Sequence, residues 1–193
     1  MFLEQFPEDN SKHGWIEIIC GSMFSGKTEE LIRRLRRAEF ANQKIVLFKP
    51  KIDNRYSEHN VMSHQGSTLQ AISINKASEI FDHLSDEYIV AIDEAQFFDE
   101  ALVEVCTTLS KKGIRVLIAG LDMDYLGKPF GPMPQLLCIA EYVTKVHAIC
   151  VSCGNLAQFS HRLNNEKDQV LLGAKENYKP LCRSCFNKQI SNF

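Results

Sequence analysis

No run of apolar residues in this 193-residue chain approaches the roughly 18 that a helix needs to cross a bilayer. The first 14 residues, MFLEQFPEDNSKHG, mix acidic residues and a proline where a secretory signal peptide would need a continuous apolar segment. The sequence therefore predicts neither a membrane helix nor a signal peptide. We expect a cytoplasmic protein in which residues 1–14 form a flexible tail.

The chain also lacks an excess of basic residues. Its 22 lysines and arginines stand against 24 acids, whereas affinity for a nucleic-acid backbone or an anionic lipid surface needs a basic surplus. The basic run at residues 33–37 falls on one predicted helix, and we interpret it as a solvated face or a subunit contact. The composition predicts no nucleic-acid or membrane partner and leaves room for a small charged ligand.

Apolar residues at 45% and charged residues at 24% are the values of an ordinary globular chain, long enough for one domain and a small appended module. Strands are predicted at 15–20, 44–48, 88–93 and 115–119, and helices from residue 28 and at 76–84 and 99–112. This alternation predicts an α/β fold with a parallel sheet and crossover helices. Residues 51–67 and 122–134 fit no element and read as long loops.

The segment GSMFSGKT matches the phosphate-loop pattern G-x-x-x-x-G-K-[ST], directly after a predicted strand and directly before a predicted helix. Glycines in such a loop let backbone N–H groups turn onto phosphates, the lysine reaches the outer phosphates, and the final hydroxyl ligates Mg²⁺. The sequence therefore predicts binding of ATP and Mg²⁺. The predicted nucleotide-binding residues are Gly21, Ser22, Met23, Phe24, Ser25, Gly26, Lys27 and Thr28.

Two carboxylates end the predicted strand at 88–93. Asp93 has the position of the acid that a buried strand delivers to the Mg²⁺ beside a phosphate loop. Glu94 follows at the carboxyl edge of the sheet, where it can act as the general base for the group that attacks the γ-phosphate. The attacking group is either water or an alcohol. Without the phosphate loop, an acid here would read only as the end of a strand.

Two C-x-x-C pairs, Cys150 with Cys153 and Cys182 with Cys185, are separated by residues 154–181. Four thiolates complete a tetrahedron and leave no open position, so the pattern predicts a structural Zn²⁺ site. Unrelated core cysteines and a redox dithiol are the weaker alternatives. The remaining cysteines, Cys20, Cys106 and Cys138, lie in apolar segments and are interpreted as core residues.

At this point the chain resembles the thymidine kinases of the zinc-containing cytosolic type, from about Trp15 to Phe186. Several separate motifs are similar to the family pattern. They are Met23-Phe24-Ser25 within the phosphate loop, Asp53-x-Arg55-Tyr56, Asp93-Glu94-Ala95-Gln96-Phe97-Phe98, Gly120-Leu121-Asp122 with Lys128-Pro129-Phe130-Gly131, both cysteine pairs, and the closing segment from Gly173 to Cys185.

The resemblance implies that Glu94 is the base for the 5′-hydroxyl of thymidine, that Lys27 and Arg55 serve catalysis, and that Asp53 and Arg55 help with metal and phosphate charge. It also implies a base pocket closed by a lid from Leu171 to Tyr178, and a homotetramer. The implied substrate-binding residues are Met23, Phe97, Leu121, Tyr125, Phe130, Ser160, Leu171, Gly173 and Tyr178. Ser160 stands where many members have the threonine that faces the thymine methyl, and Tyr125 where phenylalanine is common.

These observations predict a P-loop NTPase-like α/β domain at residues 15–149 and a small zinc-ribbon domain with a lid loop at 150–193. We expect the zinc module to hold residues 157–181 over the acceptor and to have no role in phosphate chemistry. A nucleic-acid-dependent ATPase with a zinc ribbon is the main alternative, and a structural zinc protein with a dead nucleotide site is a third. Residues 150–193 hold six basic residues and three acids, a basic surplus too small to indicate nucleic-acid binding, so the kinase is preferred.

Overall fold

The computed structural model describes residues 13–52, 60–62, 68–86, 88–164 and 177–190. Its strands are β1 (Ile16–Cys20), β2 (Ile45–Pro50), β3 (Asn60–Met62), β4 (Thr68–Gln70), β5 (Ile72–Ile74), β6 (Ile89–Ile92), β7 (Arg115–Gly120), β8 (Tyr142–Lys145), β9 (Ala148–Ile149), β10 (Leu156–Ala157), β11 (Phe159–Arg162) and β12 (Tyr178–Leu181). Its α-helices are α1 (Lys27–Phe40), α2 (Ala101–Lys111), α3 (Met133–Ile139) and α4 (Arg183–Ile190), and 3-10 helices cover Ala77–His83 and Ala95–Phe97.

The largest sheet has six strands in the order β5-β2-β6-β7-β1-β8, and every neighbouring pair is parallel. The expected parallel α/β sheet is confirmed. Because all strands run the same way, their carboxyl ends share one edge, which is where ligands bind in such sheets. The loop after β1 and the residues after β6 and β7 therefore meet at that edge.

The core lies on both faces of this sheet, because successive residues of a buried strand point to opposite sides. Ile18 of β1 packs in a cluster with Leu102 of α2. Ile19, the next residue, packs in a second cluster with Leu35 of α1. Both isoleucines are fully buried. The central strand that leads into the phosphate loop is thus held between two helical layers.

The helical segment expected near residues 76–84 is a 3-10 helix at Ala77–His83, and its buried Ala77 and Ile80 are three residues apart, which matches the three-residue turn of that helix. Two other expectations about local structure are corrected. Within the loop expected at residues 51–67, Asn60–Met62 form strand β3. Cys138, expected in the core, is exposed because α3 buries its opposite face through Met133 and Leu136. Cys20 and Cys106 are buried, as expected. No helix in the described ranges is both long and apolar enough to span a membrane.

A buried ionic cluster connects β1 to its neighbours. The Glu17 carboxylate is fully buried and accepts hydrogen bonds from Arg34 of α1 at 2.8 Å and from Arg115 of β7 at 2.6 Å. The Trp15 indole N–H donates a further bond to it at 2.6 Å. Arg34 belongs to the basic run interpreted as a solvated face, yet it is buried, whereas Arg33 is exposed. The run divides because Arg34 points toward the sheet.

We expect Glu17→Gln to lower the free energy of unfolding by about 1.5–3 kcal/mol, because the amide keeps the shape but removes the buried charge that pairs with Arg34 and Arg115, although Arg34 keeps its pair with Glu30. Urea unfolding of the two proteins measures this difference. The matched control is Asp86→Asn, which breaks an exposed pair with Lys44 and should change stability little. Equal midpoints for Glu17→Gln and the control would contradict the expected role of the cluster.

The C-terminal segment forms a separate small core. Strands β9 and β10 pair antiparallel, as do β11 and β12, and α4 packs on β11. Phe159 of β11 stacks on Phe186 of α4 with ring centroids 4.3 Å apart. The cluster around these rings also includes Ala148, Ala157 and Leu181. Two residues from outside this segment, Phe24 and Met123, pack against it, so this core reaches the phosphate loop.

Candidate active site

The phosphate loop has a strained, tightly folded backbone between β1 and α1. Gly21, Phe24 and Gly26 all have positive φ angles, of 145°, 64° and 86°. A Cβ atom on Gly21 would lie 2.1 Å from the Val146 carbonyl oxygen, so only glycine fits there. The Lys27 ammonium and the Ser25 hydroxyl both donate to the Ser22 carbonyl, at 2.8 and 2.7 Å. The loop therefore closes around its own lysine.

The hydroxyl of Thr28 and the carboxylate of Asp93 lie side by side. Thr28 Oγ1 donates to Asp93 Oδ2 at 3.3 Å, which joins the start of α1 to the end of β6. Asp93 is buried, and its other oxygen accepts the Glu94 backbone N–H at 2.9 Å. A hydroxyl and a carboxylate oxygen at this distance are the hard ligands that Mg²⁺ prefers. These residues therefore fit the magnesium ion that accompanies ATP.

Glu94 is held in an unusual conformation beside this pair. Its φ of 52° places a non-glycine residue in the left-handed region, a strain that clusters at functional sites. Its Oε2 accepts a hydrogen bond of 2.5 Å from the amide of Gln96, which is buried. Gln96 Oε1 in turn accepts the Leu121 backbone N–H at 2.9 Å. The amide of Gln96 thus fixes the Glu94 carboxylate relative to the end of β7.

Gln96 belongs to the family-like motif at residues 93–98, but the sequence predicted no function for it. Its side-chain amide donates to the Glu94 carboxylate and accepts the Leu121 N–H, so it connects the two. A glutamine buried two residues after a candidate base is a signal that sequence reasoning could have used, since a buried amide needs partners for both ends.

Several of the predicted base-pocket residues gather at the same edge. Phe97 and Phe130 pack edge to face, with centroids 5.6 Å apart and an interplanar angle of 88°. The loop that holds Phe130 lies directly against the backbone of Gln96, because a Cβ on Gly131 would be 2.3 Å from the Gln96 carbonyl oxygen. Phe97, three residues after Glu94 in the chain, is therefore one half of an aromatic pair at this edge of the sheet.

A second aromatic group surrounds Arg162, which the sequence analysis gave no function. Its guanidinium lies 3.7 Å from the centroid of the Tyr125 ring and donates to the Tyr178 hydroxyl at 2.8 Å. Arg162 is buried, so this arrangement is sheltered from water. Tyr125 and Tyr178 were predicted for the base pocket, and Arg162 brings them together. The missed signal was strand alternation, which puts Arg162 on the same face of β11 as Ser160.

Ser160 contacts the phosphate loop. Its Oγ accepts the Met23 backbone N–H at 2.9 Å, and the serine is buried. Both residues were predicted for the base pocket, and they lie together. Four predicted site residues, Asp53, Arg55, Leu171 and Gly173, lie outside the described residues.

The four predicted metal ligands converge. The sulfur atoms of Cys150, Cys153, Cys182 and Cys185 all lie within 4.8 Å of one another. The sulfurs of Cys153 and Cys182 are 3.6 Å apart, too far for a disulfide and close to the roughly 3.8 Å between two thiolates on one zinc with bonds of about 2.3 Å. The set fits a tetrahedral Zn²⁺ site with four protein ligands.

The pKa values of these cysteines also favour a bound cation. Burial raises the pKa of Cys150, but backbone N–H donors from Cys182 and Ser152 outweigh it and lower that pKa to about 6. The neighbouring sulfurs of Cys153 and Cys182 raise the pKa of Cys185 to about 12. One thiolate therefore opposes the ionisation of the next. A bound divalent ion removes this conflict because it neutralises the combined charge.

The parallel sheet, the G-x-x-x-x-G-K-T loop after β1 and the acid at the end of β6 define a P-loop fold of the NTPase class. Residues 14–186 match the family model described as thymidine kinase. The chain belongs to the thymidine kinase family.

Curated relatives cover almost the whole chain. A thymidine kinase of Bacteroides thetaiotaomicron is 55% identical over 186 residues, which cover 96% of this chain and 94% of the relative. A thymidine kinase of Bacteroides fragilis is 53% identical over 190 residues, covering 98% and 96%. One from Porphyromonas gingivalis is 53% identical over 186 residues, covering 96% and 91%. Family membership makes this chain an ATP-dependent nucleoside kinase and favours the kinase over the nucleic-acid-dependent ATPase.

Proposed function

We propose that this chain transfers the γ-phosphate of ATP to the 5′-hydroxyl of thymidine, giving dTMP and ADP for the salvage of DNA precursors. The observation that supports this most directly is the position of Glu94. It follows Asp93, which bonds to Thr28 at the end of the phosphate loop, and it precedes Phe97, which packs on Phe130. A general base with a phosphate site on one side and aromatic rings on the other suits a nucleoside, whose hydroxyl would face the phosphate and whose nucleobase would face the rings.

The phosphates of ATP lie along the loop, where backbone N–H groups and Lys27 balance their charge. The Thr28 hydroxyl and the Asp93 carboxylate would hold the magnesium ion, which would supply positive charge to neutralise the negative charge that develops on the transferred group. By resemblance, Asp53 and Arg55 assist with metal and phosphate charge. Together these groups would position the γ-phosphorus in line with the attacking oxygen.

Glu94 takes the proton of the 5′-hydroxyl as that oxygen attacks the γ-phosphorus. The bond from phosphorus to the bridging oxygen of ADP breaks, and the bond to the 5′-oxygen forms. The electron pair leaves with ADP, and Glu94 later releases its proton to solvent. Gln96 keeps the carboxylate aimed during this step, because its amide is itself fixed by the Leu121 backbone.

The base is proposed to bind between Met23, Phe97, Leu121, Tyr125 and Phe130, with Ser160, Leu171, Gly173 and Tyr178 completing the pocket. A lid at 171–178 would close over it and read thymine mainly through its backbone. Arg162 stabilises this side because it holds Tyr125 and Tyr178 in one arrangement. We also propose the division at residue 150 into two domains, a structural Zn²⁺ on the four cysteines, and a homotetramer, the last from the resemblance alone.

We expect thymidine to be the best acceptor, deoxyuridine to be used less well and purine nucleosides hardly at all. A fixed set of backbone donors and acceptors rejects a wrong hydrogen-bonding edge strongly, whereas one methyl in an apolar pocket is worth only about 1–3 kcal/mol. Incubating the protein with labelled ATP, Mg²⁺ and each nucleoside in turn, and resolving the products, measures these rates. Equal use of deoxyguanosine or deoxyadenosine would overturn the proposed acceptor and leave only a general nucleoside kinase.

A further inference from the structure

The phosphate loop is attached to the C-terminal module over three consecutive residues. The Ser22 hydroxyl donates to the Ala157 carbonyl at 3.4 Å, and the Met23 backbone N–H donates to Ser160 Oγ at 2.9 Å. The Phe24 side chain packs against the apolar core of the module. One side of the loop therefore rests on a surface that is more than 130 residues away along the chain.

The position of Ser160 is itself fixed by the module. Its strand, β11, pairs with β12, where Ser160 lies opposite Pro180 and Phe159 lies opposite Leu181. Phe159 and His161, the neighbours of Ser160 on the other face of the strand, pack on Phe186 of α4. The serine hydroxyl therefore has little freedom, and it meets the loop from a rigid strand.

The hydrogen bond to Met23 restricts the shape of the loop. Phosphate binding needs the loop's remaining N–H groups to point inward at once, and the positive φ of Phe24 shows that this backbone is not in a relaxed conformation. A part-buried N–H that loses its acceptor favours other backbone conformations in which it is hydrogen-bonded. Apparent affinity then falls in proportion to the fraction of molecules that keep the competent loop.

We propose that Ser160 is a positioning residue for the phosphate loop: its hydroxyl oxygen accepts the Met23 N–H and keeps the loop in the shape that binds ATP. The side chain at the position that the resemblance assigns to the thymine methyl thus also governs nucleotide affinity. This inference rests on the proposed binding of ATP by the loop, and not on the identity of the acceptor nucleoside.

The test is the affinity of a non-hydrolysable ATP analogue with Mg²⁺, measured by calorimetry on the whole protein without nucleoside. Ser160→Ala removes the acceptor of this part-buried bond and should weaken binding about tenfold, toward the lower end of the roughly 5- to 150-fold cost of a buried donor left unpaired. Ser160→Thr keeps the hydroxyl and should bind within about twofold of the original protein. The matched surface control, Ser78→Ala, alters an exposed serine of the 3-10 helix at Ala77–His83 and should have no effect.

A second pair of variants guards against misfolding. Ser160→Val and Ser160→Thr have nearly the same shape and differ in the hydroxyl, so the inference expects weak binding only for valine. Equal nucleotide affinity in Ser160→Ala and the original protein, or equal weakening by valine and threonine, would overturn the inference. The inference would also be overturned if Ser160→Ala raised the KM for thymidine and left the KM for ATP unchanged.

The outcome is separable from that of the proposed function. If the original protein binds the analogue but does not phosphorylate thymidine, the proposed acceptor is wrong, while the comparison of Ser160→Val with Ser160→Thr still decides the role of the hydroxyl. If both variants bind equally in a protein that phosphorylates thymidine normally, the function stands and the inference is wrong.

Discussion

Replacing Glu94 by Gln is expected to lower the turnover number for thymidine phosphorylation by about 10²–10⁴-fold, the usual cost of losing a general base. The substituted amide has the same shape, so the strained backbone and the aromatic pair beside it can remain as they are. Only the capacity to take a proton is lost. Nucleotide affinity should be nearly unchanged because Glu94 is separate from the Lys27 and Thr28 contacts.

The measurement is kcat with saturating ATP and thymidine, together with the dissociation constant of a non-hydrolysable ATP analogue. The matched control is Glu104→Gln, which changes an exposed glutamate on α2 in the same way and should keep full activity. Turnover close to that of the original protein in Glu94→Gln would exclude Glu94 as the base. A loss of nucleotide affinity as large as the loss of turnover would instead indicate damage to the phosphate loop.

The large-scale fold could be predicted because buried parallel strands read as short apolar runs. Strands β1, β2, β6 and β7 lie inside the sheet, so both of their faces are mostly apolar, with Glu17, Lys49 and Arg115 as buried exceptions. The phosphate loop was equally clear, since glycines at positive φ and a following lysine have few other uses. The loop, the Asp93 carboxylate and the cysteine pairs could all be located from spacing alone.

The edge of the sheet could not be predicted in this way. Among the described residues β8 pairs with β1 alone, and three of its residues, Tyr142, Val143 and Lys145, are exposed. An edge strand with exposed residues on consecutive positions has neither an apolar run nor a strict alternation. Helix α3 was missed for a different reason, because its Pro134 made residues 122–134 look like a continuous loop, although proline is well tolerated in a first helical turn.

Contacts across the chain were hidden for a third reason. The bond between Met23 and Ser160 joins residues 137 positions apart, and no local pattern reports such a partner. The sequence patterns therefore predicted no role for the C-terminal module in phosphate chemistry. The bonds from Ser22 and Met23 to the module show that the two regions share a boundary. Gln96 and Arg162 were overlooked in the same way, since their importance lies in which distant groups they connect.

We expect the C-terminal module to depend on its proposed metal ligands more than on its core. Its buried apolar residues in the described ranges number only a handful around Phe159 and Phe186, which is little for an independently stable unit. Cys182 joins the end of β12 to the start of α4, and its carbonyl accepts the Phe186 N–H at 2.9 Å. A structural zinc contributes about 10–16 kcal/mol in small zinc-binding peptides, so metal binding is the largest stabilising contribution we expect here.

We therefore expect about one zinc per chain in protein purified without chelators, and almost none in Cys182→Ser, since a hydroxyl is a far poorer zinc ligand than a thiolate. Metal analysis measures the content. Hydrogen exchange should show β11 and β12 losing protection in that variant, while β1 and β7 in the central sheet keep theirs. Cys138→Ser is the matched control, because this exposed cysteine lies outside the cluster and should change neither quantity.

Freshly purified protein without zinc, or a Cys182→Ser variant with full zinc content, would contradict the proposed metal site. Since β11 carries Ser160, the loss of zinc should also weaken binding of the ATP analogue, which links the ligands of the metal to the shape of the phosphate loop.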